Sequence, residues 1–152
     1  MDGRNNWSKV KDVIGRNGGS AHKRVCLGAY YDNMLHSDIK HLGFTLSRYK
    51  FVSKLLRYKK NLEICELGCQ EALGALMFQQ NNDLARYVGV DLDSDSIAWD
   101  KDNLPTEFEF IESDLFEEGW ADSEFDAVIS LDMIEHIEKC AEIHCARLLQ
   151  TT

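Results

Sequence analysis

The stretch NLEICELGCQEALGALMFQQ (residues 61–80) constrains this chain more than any other. LEICEL is a mostly apolar run of strand length, and ALGALMFQQ is a run of helix-forming residues without proline. Gly68 stands between them as a turn. A strand apolar on both faces, leading through a glycine turn into a helix, opens a parallel α/β sheet. An antiparallel sheet would show alternation here instead.

The same unit then recurs. RYVGVD (86–91) reads as a second strand and SDSIAWDKDNL (94–104) as a second helix. EFEFIE (107–112) alternates as a third strand, FDAVISL (125–131) is a fourth, and EKCAEIHCARLLQ (138–150) is a last helix. Strands and helices at this spacing predict a doubly wound, mainly parallel sheet with helices on both faces. Four strands are fewer than such a sheet usually has. The expectation is therefore a sheet truncated after its fourth strand, completed by further chain or a partner, with self-association through the bare edge.

Ahead of the sheet, FTLSRYKFVSKLLRYKK (44–60) places Leu46, Tyr49, Val52, Leu55 and Leu56 at helical spacing, with Thr45 as a candidate cap. WSKVKDVI suits a short amphipathic helix, GRNGGS a flexible break, and VCLGAYYDNMLHSDI a segment with enough aromatic residues to pack on something. The chain thus divides into an arm over residues 1–43, a candidate lid, and a partial α/β domain over 44–152. Trp7, Tyr30 and Tyr31 fit either a lid or packing on the sheet edge.

Composition narrows the class. The 152 residues suffice for one domain with one core, and a 44% apolar content with a single proline fits a globular chain. No apolar run reaches the ~18–20 residues a membrane span needs. The N-terminal MDGRNNWSKVKDVIG lacks the apolar stretch of a secretion signal. Five cysteines (Cys26, Cys65, Cys69, Cys140, Cys145) without framework spacing suit reduced thiols, so a cytoplasmic location is expected. Residues 1–60 hold 13 of the 17 Lys and Arg but only 4 of the 26 Asp and Glu. A basic arm can grip phosphate or lie on its own acidic domain. With a net charge of −9 the second is expected, and nucleic acid is not an expected partner.

Ligands of open α/β sheets bind beyond the carboxyl ends of the strands. Dinucleotides require Gly-x-Gly-x-x-Gly there, so that backbone and helix N-terminus approach a pyrophosphate. Counting from Gly68, Gln70 and Leu73 replace the second and third glycines, and Glu66 and Glu71 add negative charge. These features argue against a phosphate and for a cationic nucleoside. Asp91, ending the second strand, is placed to accept hydrogen bonds from ribose hydroxyls, or else to cap the next helix. Asp114, just past the third strand, is placed for an adenine amino group, or else is a turn aspartate. Acids after three successive strands favour the nucleoside site.

CELGCQEALGALM, VGVDLDSDSI, ESDLFE and FDAVISLDMIEHI together resemble, in order and spacing, the motifs of class I S-adenosylmethionine-dependent methyltransferases. The resemblance covers residues 62 to about 140. TLSRYKFVSKLL resembles the leading helix of bacterial members of unassigned substrate. The resemblance implies a Rossmann-like sheet, S-adenosylmethionine as cofactor, and methyl transfer to a small-molecule or sugar acceptor. By it, Glu66 and Gly68 would meet the methionine end and Asp91 the ribose, with Cys69, Gln70 and Leu92 also in the cofactor site. Asp114 and Leu115 would meet the adenine, and Leu131 with Asp132 would lie near the methyl group.

His136 has the right ordinary pKa for a general base, with Asp132 beside it, although Glu135-His136 can equally begin a helix. Asp132-x-x-Glu135-His136 is also close to the magnesium motif of small-RNA 2′-O-methyltransferases. His136, Cys140 and His144 at intervals of four could hold zinc, but such spacing more commonly marks a half-buried helix face, and no metal is expected. The rival to an enzyme is a cofactor-binding module without an acceptor half.

Overall fold

A computed structural model of the chain describes residues 26–114, 125–133 and 136–137. Two helices, α1 (Ala29–Ser37) and α2 (Ile39–Leu56), precede the sheet. Strand β1 (Leu62–Leu67) is followed by α3 (Leu73–Asn81), β2 (Leu84–Asp91), α4 (Ser94–Asn103), β3 (Glu109–Glu112) and β4 (Ala127–Ser130). All strands pair in parallel in the order β3-β2-β1-β4. This is the expected Rossmann-like arrangement. The chain moves outward from β1 to β3 and then returns to the other side of β1. The strand order therefore reverses beside β1, where ligands of such sheets bind.

Strand alternation divides the core. Leu62, Ile64 and Tyr87 point toward α2, α3 and α4 and meet Tyr49, Phe78 and Ile97. Cys65, Leu67, Val88 and Val90 form the opposite, equally buried face, with Phe125 and Met133 against it. Both faces being buried explains why β1 reads as a continuous apolar run. Cys65 and Cys69 are free and buried, as small core residues, while Cys26 is free and exposed. No helix among the described residues is long and apolar enough to cross a membrane. WSKVKDVI and the helix expected over 138–150 lie outside the described residues.

Ahead of the sheet the structure departs from the sequence expectation. The helix expected over 44–60 runs from Ile39 to Leu56, so residue 43 lies inside it. Thr45 is not its cap. Asp38 is, with its carboxylate accepting the His41 N–H at 3.1 Å. Thr45 lies about two turns further on and is buried, in line with Leu42, Tyr49 and Ser53. The polar run from His36 to His41 hides this start, because the apolar period begins only at Leu42. Replacement of a capping aspartate by alanine typically costs about 1 kcal/mol. Asp38→Ala is expected to lower the chain's stability to urea by that amount. An unchanged midpoint would show that packing of the Leu42–Tyr49 face alone sets this helix start.

Candidate functional site

A cavity of about 820 Å³ opens at the carboxyl ends of the strands, within the range of small-molecule and cofactor sites. Every strand contributes to its wall. Gly68 and Gln70 follow β1, Asp91 and Leu92 belong to the end of β2, and Asp114 follows β3. Leu131, Asp132, Met133, His136 and Ile137 follow β4. Helices α1 and α2 close the cavity with Tyr30, Tyr31, Thr45 and Tyr49. Of the residues expected from sequence, Glu66 and Cys69 do not line it, and Leu115 lies outside the described residues.

Glu66 is displaced by strand parity. It follows Ile64 on the helix-facing side of β1, so its carboxylate sinks between α2 and β2 rather than toward the opening. Only 1% of it is exposed. The Tyr49 hydroxyl donates to Oε1 at 2.6 Å and the Tyr87 hydroxyl to Oε2 at 2.5 Å. Burial pushes this carboxyl up to about 7, against the downward pull of both hydroxyls, and the Asp91 charge adds to the rise. Two hydrogen bonds are not enough to offset loss of water. Asp100, fully buried in α4, rises to about 8, chiefly by burial and then through the charges of Glu71 and Glu66.

Asp91 does not cap α4. Asp93 does, accepting the Asp95 N–H at 3.3 Å and the Ser96 hydroxyl at 2.7 Å. Asp91 instead holds two turns at once. Its Oδ2 accepts the Gln70 N–H at 2.8 Å and its Oδ1 the Asp93 N–H at 2.9 Å. Each oxygen keeps a second lone pair for a ligand hydroxyl. The residue stays 8% exposed on the cavity wall.

The turn after β1 keeps a left-handed backbone even without its second glycine. Gly68 has φ 73° and Gln70 has φ 47°. Gln70 thus occupies a conformation that glycine adopts without strain. Its Oε1 is buried with no hydrogen-bond partner among the described residues, as is Oγ1 of Thr45, and both residues line the cavity. Asp132 also takes a left-handed φ of 58°, and its carboxylate pairs with the Arg48 guanidinium from α2. His136 is exposed, and its backbone N–H returns to the Met133 carbonyl at 2.9 Å. Among the described residues no group of three or more His, Cys, Asp or Glu is arranged to hold a metal ion. Glu135, Cys140 and His144, which the magnesium and zinc readings need, lie outside those residues.

Thr45, Tyr49, Met133 and Ile137 were not legible as site residues. In sequence, Tyr49 is simply one more apolar residue at helical spacing, and only the pairing of α2 with the strand ends brings it to the cavity.

Comparison with known proteins now fixes the class. A family profile described as a methyltransferase domain matches residues 65–151, more than half of the chain. The chain belongs to that family. Among solved structures it is similar to the sugar N-methyltransferase KedS8 from a Streptoalloteichus species, at 20% identity and TM-score 0.60, covering 86% of this chain and 51% of that one. It is similar to the methyltransferase domain of bacterial CtHen1-C, at 21% identity and TM-score 0.59, covering 67% and 57%. A TehB-like SAM-dependent methyltransferase from Corynebacterium glutamicum matches at 14% identity and TM-score 0.52, over 92% and 64%. At these identities the likeness is one of fold. The chain spans roughly half to two-thirds of the length of each. No curated protein matches it.

Family membership implies S-adenosylmethionine as the cofactor. The cavity suits such a group: Asp91 offers lone pairs for hydroxyls, Leu92 and Leu131 offer apolar surface, and the orphaned Gln70 and Thr45 oxygens offer acceptors for a cationic amine.

Two predictions follow from the turn and the buried acid. Gln70→Gly is expected to raise stability by up to about 1 kcal/mol in urea unfolding, because relief of left-handed strain outweighs the destabilising extra freedom of the unfolded chain. A loss of similar size would mean that the glutamine side chain outweighs the strain. Glu66 holds its proton more tightly folded, at about 7, than its ordinary 4.5. Its neutral form therefore stabilises the fold fully below 4.5, and that contribution is lost as pH rises to about 7. The loss is about 3 kcal/mol. Melting temperature should fall from pH 5 toward neutrality in the wild type and fall less steeply in Glu66→Gln. Parallel curves for the two proteins would remove Glu66 as the source.

Proposed function

We propose that this chain is the cofactor-binding portion of an S-adenosylmethionine-dependent methyltransferase that acts on a small molecule or a sugar. The observation that carries the reading is Asp91, a buried carboxylate on the cavity wall with lone pairs to spare, beside a turn that lacks a phosphate cradle. The bound cofactor supplies a methyl group already activated on a sulfonium.

The protein's tasks are to orient, exclude water and manage a proton. Asp91 accepts from the ribose hydroxyls, and Asp114 with Leu115 serves the adenine. The turn carrying Gly68, Cys69 and Gln70 backs the methionine end, while Glu66 acts from behind through Tyr49. Leu131 and Asp132 flank the reacting centre. His136 is the candidate base for an acceptor hydroxyl or amine, since the Asp132 carboxylate is already engaged by Arg48. An apolar recess on α2, lined by Phe44, Phe51 and Val52, meets the main cavity at Leu131 and offers an acceptor a place to lie.

Calorimetric titration with S-adenosylhomocysteine, with NADH as control, tests the reading. Saturable binding of the first alone is expected, and Asp91→Ala should weaken it by about 1–3 kcal/mol. An unmoved affinity would withdraw the ribose assignment. Binding without turnover on any acceptor would favour a non-catalytic module, and metal-dependent methylation of RNA ends would favour the 2′-O-methyltransferase reading.

A further inference from the structure

Helix α1 carries Tyr30 and Tyr31 to the cavity, but its own sequence gives it a weak start. The residue at its N-cap is Gly28, with φ 93° and no side chain to accept a helix N–H. The missing acceptor comes from 41 residues along the chain: Glu71 Oε1 takes the Tyr30 N–H at 2.9 Å. A carboxylate at this point also meets the positive end of the helix dipole.

The fit is close. A Cβ on Gly28 would stand 2.2 Å from Glu71 Cγ and 2.6 Å from its Cδ, so only glycine admits the side chain there. Glu71 is itself 4% exposed and does not line the cavity. Beyond this cap, α1 is anchored by a small apolar cluster of Tyr31, Met34 and Leu42 with Leu27 and Leu73. Glu71 sits next to Gln70, whose N–H is held by Asp91. One short turn therefore touches the cavity through Gln70 and holds its cover through Glu71.

We propose that Glu71 is a positioning residue for the cofactor site, capping α1 from the turn after β1 and so fixing Tyr30 and Tyr31 against the cavity. The proposal rests on reading that cavity as the S-adenosylmethionine site. It makes affinity depend on a residue that touches no ligand.

The test uses the full chain and four variants: Glu71→Ala, Glu71→Gln, Gly28→Ala, and the double variant Gly28→Ala with Glu71→Ala. The readouts are affinity for S-adenosylhomocysteine, amide hydrogen exchange over residues 29–37 without ligand, and melting temperature. Glu71→Ala should weaken binding by roughly tenfold, the order expected for a lost helix cap, and speed exchange at the start of α1. Glu71→Gln keeps an acceptor at Oε1 and should restore affinity to near wild type. Gly28→Ala should weaken binding in the wild-type background, and part of that loss should disappear when Glu71 is already alanine: Cγ and Cδ, which it strikes at 2.2 and 2.6 Å, are then gone, while Cβ at 2.7 Å and the φ of 93° remain. Should Glu71→Ala fail to fold, the Gly28→Ala and Glu71→Gln arms decide alone. Wild-type affinity in a folded Glu71→Ala, or weakened affinity with exchange in α1 unchanged, overturns the proposal. A wild-type chain that binds no S-adenosylhomocysteine overturns the cofactor reading, and this role with it. Exchange without ligand still reports separately whether Glu71 caps α1.

Discussion

The Asp91 carboxylate is bonded to the backbone of two different turns, to Gln70 on one side and Asp93 on the other. Parallel strands deliver their loops to one end of the sheet, where the Gly68 and Cys69 N–H groups donate to the Val90 carbonyl and the Ser113 N–H to the Asp91 carbonyl. The Asp91 side chain carries that tie beyond the strand ends, into the turn itself. It holds the turn after β1 in a left-handed form that Gln70 would not choose, and it leads the chain into a helix that Asp93 then caps. Hydrogen bonds to a charged acceptor are about twice as strong as neutral ones.

Much of this was legible from the chain and some was not, for definable reasons. β1 and β2 are readable because a strand buried on both faces leaves an uninterrupted apolar run. The positions of Gly68, Asp91 and Asp114 follow at once, since strand ends and ligand sites coincide in such sheets. Glu66 marks the limit. Its place at the strand end is visible, but the direction of its side chain depends on which face of β1 the helices cover, which is a tertiary fact. The start of α2 was obscured by a polar run whose capping aspartate looks like any loop residue. The tie between Glu71 and Tyr30 joins residues far apart in sequence, and no local pattern announces it.

Burial of acids beneath the turn has a cost. Glu66 and Asp100 are both pushed up toward neutrality or above by loss of water, and the charges of neighbouring acids add to it, Asp91 for Glu66 and chiefly Glu71 and Glu66 for Asp100. The two tyrosines donating to Glu66 reduce that cost without removing it. Buried acids kept at such expense are common where a site needs a poised environment rather than a stable one. Tyr49 shows how the environment reaches the cavity: its ring lies on the wall while its hydroxyl is spent on Glu66.

Charge also decides which ligand this end of the sheet can accept. A pyrophosphate over the β1 turn would face the Asp91 carboxylate on the cavity wall, with only one glycine to let it approach the backbone. Like charges at such range are unfavourable by several kcal/mol where water is scarce. A nucleoside bearing a sulfonium and an ammonium meets Asp91 as an attraction, and needs only the hydroxyl acceptors that this residue retains. The single glycine of the turn and the Asp91 carboxylate thus suit the same ligand. The backbone need not approach a phosphate, so Gln70 is tolerated, and the acid that disfavours phosphate is the one that favours a cation.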